Sequence, residues 1–126
     1  MAETPIEWYR RMKAEAAPFE AAEKQFLSAA PGDDGDAAIA ACRVLEPTAR
    51  AFGGWLDANP CPDPEVSTHF RIIVSDYAEI ARRMLAFASD PGSSGEAALV
   101  ARVEHFMGEI KVNEAAISKW VEPLAP

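Results

Sequence analysis

The chain has 126 residues, 49% apolar and 25% charged, which is the balance of one globular domain around a single core and not of a disordered segment. Its formal net charge of −8 repels phosphate backbones, which argues against binding to nucleic acid or to an anionic membrane. No apolar run approaches the roughly 20 residues needed to cross a bilayer, and the opening MAETPIEWYRRMKAEAAPF lacks the basic lead and apolar block of an export signal, so the sequence reads as a cytoplasmic protein.

The first element opens at Thr4-Pro5-Ile6-Glu7: an N-cap, a proline at the first helical position and a capping-box glutamate. The spacing of Ile6, Tyr9, Met12, Ala16, Phe19 and Phe26 predicts a helix over 5–29, with Glu23 at one core-phase position. Pro18 lies inside it and predicts a kink near Ala14. Asp36 is the expected N-cap of a second helix over 37–58, with apolar positions Ile39, Cys42, Leu45, Ala49, Phe52 and Leu56. This is the least regular element, because it carries Pro47 and the pair Gly53-Gly54, and a glycine costs a helix about 1 kcal/mol relative to alanine. The glycines admit two readings. One is a bend that opens a pocket beside Phe52 and Trp55; the other is a close backbone approach that makes room for a ring such as Trp8 or Trp120.

Asp63-Pro64-Glu65 repeats the cap-then-proline grammar for a third helix over 64–89, and Ser93-Ser94-Gly95-Glu96 offers a capping box for a fourth over 94–122. In the third, Val66, Phe70, Ile73, Tyr77, Ile80, Met84 and Phe87 recur in alternating steps of four and three. The fourth repeats that rhythm through Leu99, Val103, Phe106, Ile110, Asn113, Ile117, Trp120 and Leu124. A period of about 3.5 residues is that of helices packing at a shallow angle. No segment alternates with period two, and the turns PGDDGD, NPCP and DPGSS are short. The fold class is therefore all-α: a single domain, an antiparallel up-down-up-down four-helix bundle, with helices about 33–42 Å long. The third helix also carries a second stripe, Val74, Ala78, Ala81, Leu85 and Ala88, which predicts either a second neighbour within the bundle or an exposed face for a homodimer or partner.

Chemistry-bearing residues are few. Cys42 is the one partner Cys61 could have, but the helix between Cys42 and Asn59 rises about 25 Å and the two following residues return about 7 Å, so no disulfide is expected. Cys61 precedes a helix N-terminus, which favours a thiolate, yet Asp63 and Glu65 oppose it and no histidine is adjacent. The expected role of NPCPDPE is a turn: Pro60 stops one helix, Asp63-Pro64 starts the next, and Cys61 sits exposed between them. Glu65 with His69, and His105 with Glu109, each share a helical face, but they lie too far apart along the bundle to share an ion, and His105 falls on the outer face. No phosphate-cradling glycine loop, nucleophile elbow or Cys-x-x-Cys occurs, so neither a metal, a cofactor nor a catalytic group is expected. Glu79 is the expected partner of Arg83. Asn113, polar within an apolar seam, either fixes helix register or pairs with a polar ligand, and calls for a partner, a backbone carbonyl across the bundle or a water.

An alanine- and proline-rich composition that favours arginine over lysine, with Pro-Asp-Pro-Glu-Val opening a heptad helix, resembles the small uncharacterised helical-bundle proteins of actinobacteria over about Asp36 to Phe87. The resemblance implies a bundle and no activity. Some such proteins are similar to secreted lipoproteins with a disulfide, a pattern from which this sequence departs.

Two functions follow as expectations. The first is a non-enzymatic protein that self-associates, as a homodimer, or binds another protein through Val74, Ala78, Ala81 and Leu85 with exposed Trp8 and Trp55. The alternative is a carrier or sensor of a small apolar ligand held in the core beside the irregular second helix by Phe52, Trp55, Tyr77 and Asn113.

Overall fold

The computed structural model describes residues 3–29, 35–90 and 95–124. They form four helices, α1 (Pro5–Ala29), α2 (Gly35–Ala58), α3 (Pro64–Ser89) and α4 (Glu96–Val121), and a 3-10 turn at Glu122–Leu124. The architecture is a four-helix bundle in which each helix packs on the next in sequence. Antiparallel register along α2 and α3 shows in Cys42 against Met84 and in the ion pair of Asp57 with Arg71.

The local signals act as read. Glu7 N–H donates to Thr4 Oγ1 at 3.3 Å and Thr4 N–H donates to Glu7 Oε1 at 3.1 Å, which closes the capping box of α1. Asp63 caps α3 by accepting from Glu65 N–H at 3.1 Å, with Pro64 in the first turn. α2 begins at Gly35, so Asp36 lies inside its first turn instead of capping it. The Ser93-Ser94 part of the fourth cap lies outside the described residues, and Gly95 makes no side-chain cap bond. Both α1 and α2 run on through Pro18 and Pro47. Each proline is exposed, as are Ala14 and Arg43 four residues earlier, so water reaches the carbonyls that the missing N–H groups release.

α3 is the wedge of the bundle. Its first stripe points to the core, where Val66, Ile73, Tyr77 and Ile80 are buried. Its second stripe faces α2: Val74 and Ala81 are buried, and a Cβ on Gly53 would meet Val74 Cγ1 at 3.5 Å. The glycine pair therefore makes room for no tryptophan ring. At Gly53 a methyl would find ordinary contact with Val74, and at Gly54 it would meet nothing within 4 Å.

Trp8 closes one end. Its indole is fully buried, and Nε1–H donates to the Asn59 carbonyl in the α2–α3 turn at 2.8 Å. Its ring meets Trp55 of α2, Phe70 of α3 and Trp120 of α4 at centroid distances of 6.1, 5.6 and 6.4 Å. Arg11 strengthens the same corner by donating to Asn59 Oδ1 at 2.8 Å while lying 5.2 Å from the centre of the Trp55 ring. Truncating this anchor removes contacts to three helices and leaves the Asn59 carbonyl unpaired. Trp8→Ala should lower the unfolding free energy by about 3–5 kcal/mol, read as a fall in the urea midpoint.

Candidate functional site

α1 and α4 are the one pair of neighbouring helices that do not close. Their backbones scarcely approach, and the contact between them is made by Trp8 and Tyr9 on Trp120 near one end. Beyond that contact a cleft of about 210 Å³ opens. Its floor is the core itself, Phe19, Phe52, Ile73 and Val74, and Tyr9, Met12 and Ile117 form apolar walls. Three carboxylates stand on it, Glu20 and Glu23 from α1 and Glu114 from α4, against one ammonium, Lys13.

The charges are unevenly matched. Lys13 Nζ holds Glu20 Oε1 at 2.6 Å, a bond that raises the lysine pKa. Glu23 shares that lysine only at a distance, without an ion pair. Burial pushes its carboxyl up, the Tyr77 hydroxyl that donates to it pulls the other way, Glu114 and Glu20 push it up further, and the Lys13 charge pulls it down weakly. Burial raises Glu114 as well, with Lys111 opposing. Desolvation first, and Glu23 second, drive the Tyr77 hydroxyl pKa far up.

A polar seam runs between α3 and α4. Asn113 Nδ2–H donates to the Glu109 carbonyl at 2.8 Å, so its oxygen faces His69, whose Nδ1 lies 2.6 Å away and therefore carries the proton. Across the interface Asn113 thus meets a histidine side chain, not the backbone carbonyl or water expected, and the carbonyl it does bond belongs to its own helix. Further along, Asp76 is only 6% exposed, and its Oδ2 has no hydrogen-bond partner. Burial and the facing Glu109 carboxylate push Asp76 up to about 7.

The sequence-derived candidates are distributed differently from expectation. Of the proposed interface, Val74 and Ala81 are buried, and Ala78 and Leu85 are half-buried against the core. Most of the stripe is spent inside the bundle, because α3 has two neighbours to cover, and Ala88 at its far end is exposed. Trp8 is the most buried ring of all and not an exposed aromatic, since its N–H found a carbonyl; Trp55 is half-buried beside it. Of the proposed pocket, Phe52 reaches the cleft floor and Tyr77 touches it through Glu23. Phe52 and Trp55 do line a second, smaller cleft of about 180 Å³ with Pro18 and Thr48, but Tyr77 is not part of it and Asn113 is taken up by His69, so the four do not share one cavity. Cys61 is buried, not exposed: its Sγ accepts from Asp63 N–H at 3.4 Å. Burial raises its thiol pKa and raises that of Cys42 to about 11. Both cysteines are free. Glu79 pairs with Arg83, as expected, and also with Arg82. His105 lies exposed on α4 beside the Phe106 ring. Among the described residues no three His, Cys, Asp or Glu side chains converge on a metal position, and no helix is long and apolar enough to cross a membrane.

Glu20, Glu23, Glu114 and Asp76 were not legible as a set. Two signals were present: Glu20 and Glu23 share the Glu-x-x-Glu spacing of a weak metal motif, and Glu23 occupies a core-phase position in α1, where a carboxylate is out of place unless it serves the edge of a cleft. No protein-family model matches the chain, and no curated protein or solved structure matches it.

Two expectations follow from these environments. The unfolded chain releases the Asp76 proton near 3.8, whereas the folded chain keeps it to about 7. The stabilisation from a protonated Asp76 is therefore complete below 3.8 and is lost as pH rises through 7. Glu3, Glu7 and Glu79, held down by their partners, act in the opposite sense at lower pH from solvent-accessible positions, where screening keeps their effect small. Urea unfolding should show a loss of stability from pH 5 that levels off above about pH 7, and Asp76→Asn, whose amide can donate to Glu109, should flatten that slope. The second expectation concerns the thiols. A disulfide reagent such as DTNB should find neither Cys42 nor Cys61 in the native protein and both at once in denaturant.

Proposed function

We propose that this protein is a non-enzymatic binding module whose α1/α4 cleft takes a small organic cation with an apolar body. The observation that carries the reading is the lining itself: a floor of core side chains beneath three carboxylates and a single ammonium. An apolar ligand alone would leave Glu23 and Glu114 desolvated without gain. A protonated amine would supply the missing partner while its hydrocarbon covers Phe19 and Ile73. The volume of about 210 Å³ lies below the roughly 300–1,000 Å³ of clefts for drug-sized ligands, so the body is short: a few carbons or one ring. Support for a non-catalytic role comes from the nucleophiles. Both thiols are buried with raised pKa values, and the Nδ1 of His69 is engaged by Asn113.

Calorimetric titration with short alkyl and aryl amines, each matched by the alcohol of the same skeleton, tests the reading. The amines should bind at least tenfold more tightly than the alcohols and should change tryptophan emission, because Tyr9 in the cleft wall packs on Trp120. Glu23→Gln with Glu114→Gln should remove the preference. Equal binding of amine and alcohol, or binding of neither, would overturn it.

A further inference from the structure

α4 is anchored along α3 and, on its α1 side, near one end through Trp120. Ile110 and Asn113 are its buried residues, and the face turned directly away from them carries Ala101, Glu104, Gly108, Lys111, Val112 and Ala115, all exposed. Val112, at 70% exposure, and Val100, at 47%, are the most exposed large apolar side chains of the described structure. Gly108 sits mid-helix on this face, and a Cβ there would meet nothing within 4 Å. A glycine so placed costs the helix about 1 kcal/mol relative to alanine, and the bundle itself gains no contact from it. What a helix gains from small residues one heptad apart is close approach by another helix along the line Ala101, Gly108, Ala115.

The charges specify which helix. Glu104 and Lys111 lie equally far on either side of the midpoint between Met107 and Gly108, and at a helical repeat of 3.6 they share one flank of the exposed face. A twofold axis through that midpoint, perpendicular to the helix, brings Glu104 of one copy opposite Lys111 of the other and repeats the pair by symmetry. The same operation sets Val100 level with Ala115 of the other copy and leaves Ala101 one residue from it. This face is therefore complementary to itself run antiparallel, which is the requirement of an isologous contact.

We infer that the protein forms an antiparallel homodimer through the outer face of α4, centred at Gly108 and set in register by reciprocal Glu104–Lys111 pairs. The surface is distinct from the cleft, whose α4 wall is Glu114, Ile117 and Ser118, so the two proposals stand or fall separately.

Sedimentation equilibrium on the full chain, with four variants, tests the inference. The wild type should dimerise at micromolar concentration. Glu104→Lys and Lys111→Glu should each weaken the dimer at least tenfold, since each sets like charges opposite one another. Combined in one chain they should restore it, because the reciprocal pair returns with its signs exchanged. Gly108→Leu should dissociate it with helix content unchanged by circular dichroism. A wild type that stays monomeric to several hundred micromolar would overturn the inference. A dimer indifferent to both single charge reversals, or a double variant as weak as the singles, would place the contact on another surface and would overturn it equally.

Discussion

The bundle depends on one hydrogen bond made by one fully buried ring. Trp8 donates to the Asn59 carbonyl, the last backbone acceptor before the proline-rich turn between α2 and α3. Because that ring also touches Trp55, Phe70 and Trp120, a single side chain fixes α1 against the other three helices at one end. An indole is suited to the position: it fills a large volume and still satisfies a carbonyl that a phenyl ring would leave dry. With that end pinned, helices that are not drawn together further along can diverge, and α1 and α4 do. The cleft is a consequence of where the anchor sits, and its apolar floor is simply core that the fourth helix leaves uncovered.

The electrostatics follow from the same asymmetry. Most acidic side chains of this chain lie in water, several of them paired with arginine or lysine. Glu23, Glu114 and Asp76 stand where α4 meets α1 or α3, and there desolvation pushes each carboxyl up, although Glu114 keeps an exposed face. Charge is thus desolvated along the two borders of one helix. The α3/α4 border compensates in part with the His69–Asn113 pair, a geometry that also fixes how the two helices slide past one another.

Much of the architecture was legible because it is written locally. The Thr4–Glu7 box, the Asp63-Pro64 start and the four-three rhythm of α3 each act within a few residues, so their meaning does not depend on the rest of the chain. What could not be read was allocation. Periodicity shows that Val74, Ala78, Ala81 and Leu85 form a stripe, but whether that stripe meets α2 or a partner depends on the rotation of α3, which is set by packing from all sides. Trp8 appeared at a helix start and looked available, because nothing in its neighbourhood announces a carbonyl 51 residues away. Cys61 misled for a related reason: a turn full of prolines looks solvated, yet the chain folds its one small apolar side chain inward and turns the prolines out. Glu23 was visible as a polar break in an apolar series, and its meaning needed the position of Glu114, 91 positions further on in sequence.

The light anchoring of α4 has a consequence for how the molecule breathes. α1, α2 and α3 share most of the buried side chains, whereas α4 contributes only Ile110 and Asn113. Its amide hydrogens are then protected by a small opening free energy, and those of α2 and α3 by something closer to the global one. α4 is the unit that can detach while the remaining three stay folded. Each such excursion wets Asp76, whose carboxylate is better solvated outside the bundle than within it, so hydrogen exchange along α4 would quicken with pH beyond its intrinsic base catalysis.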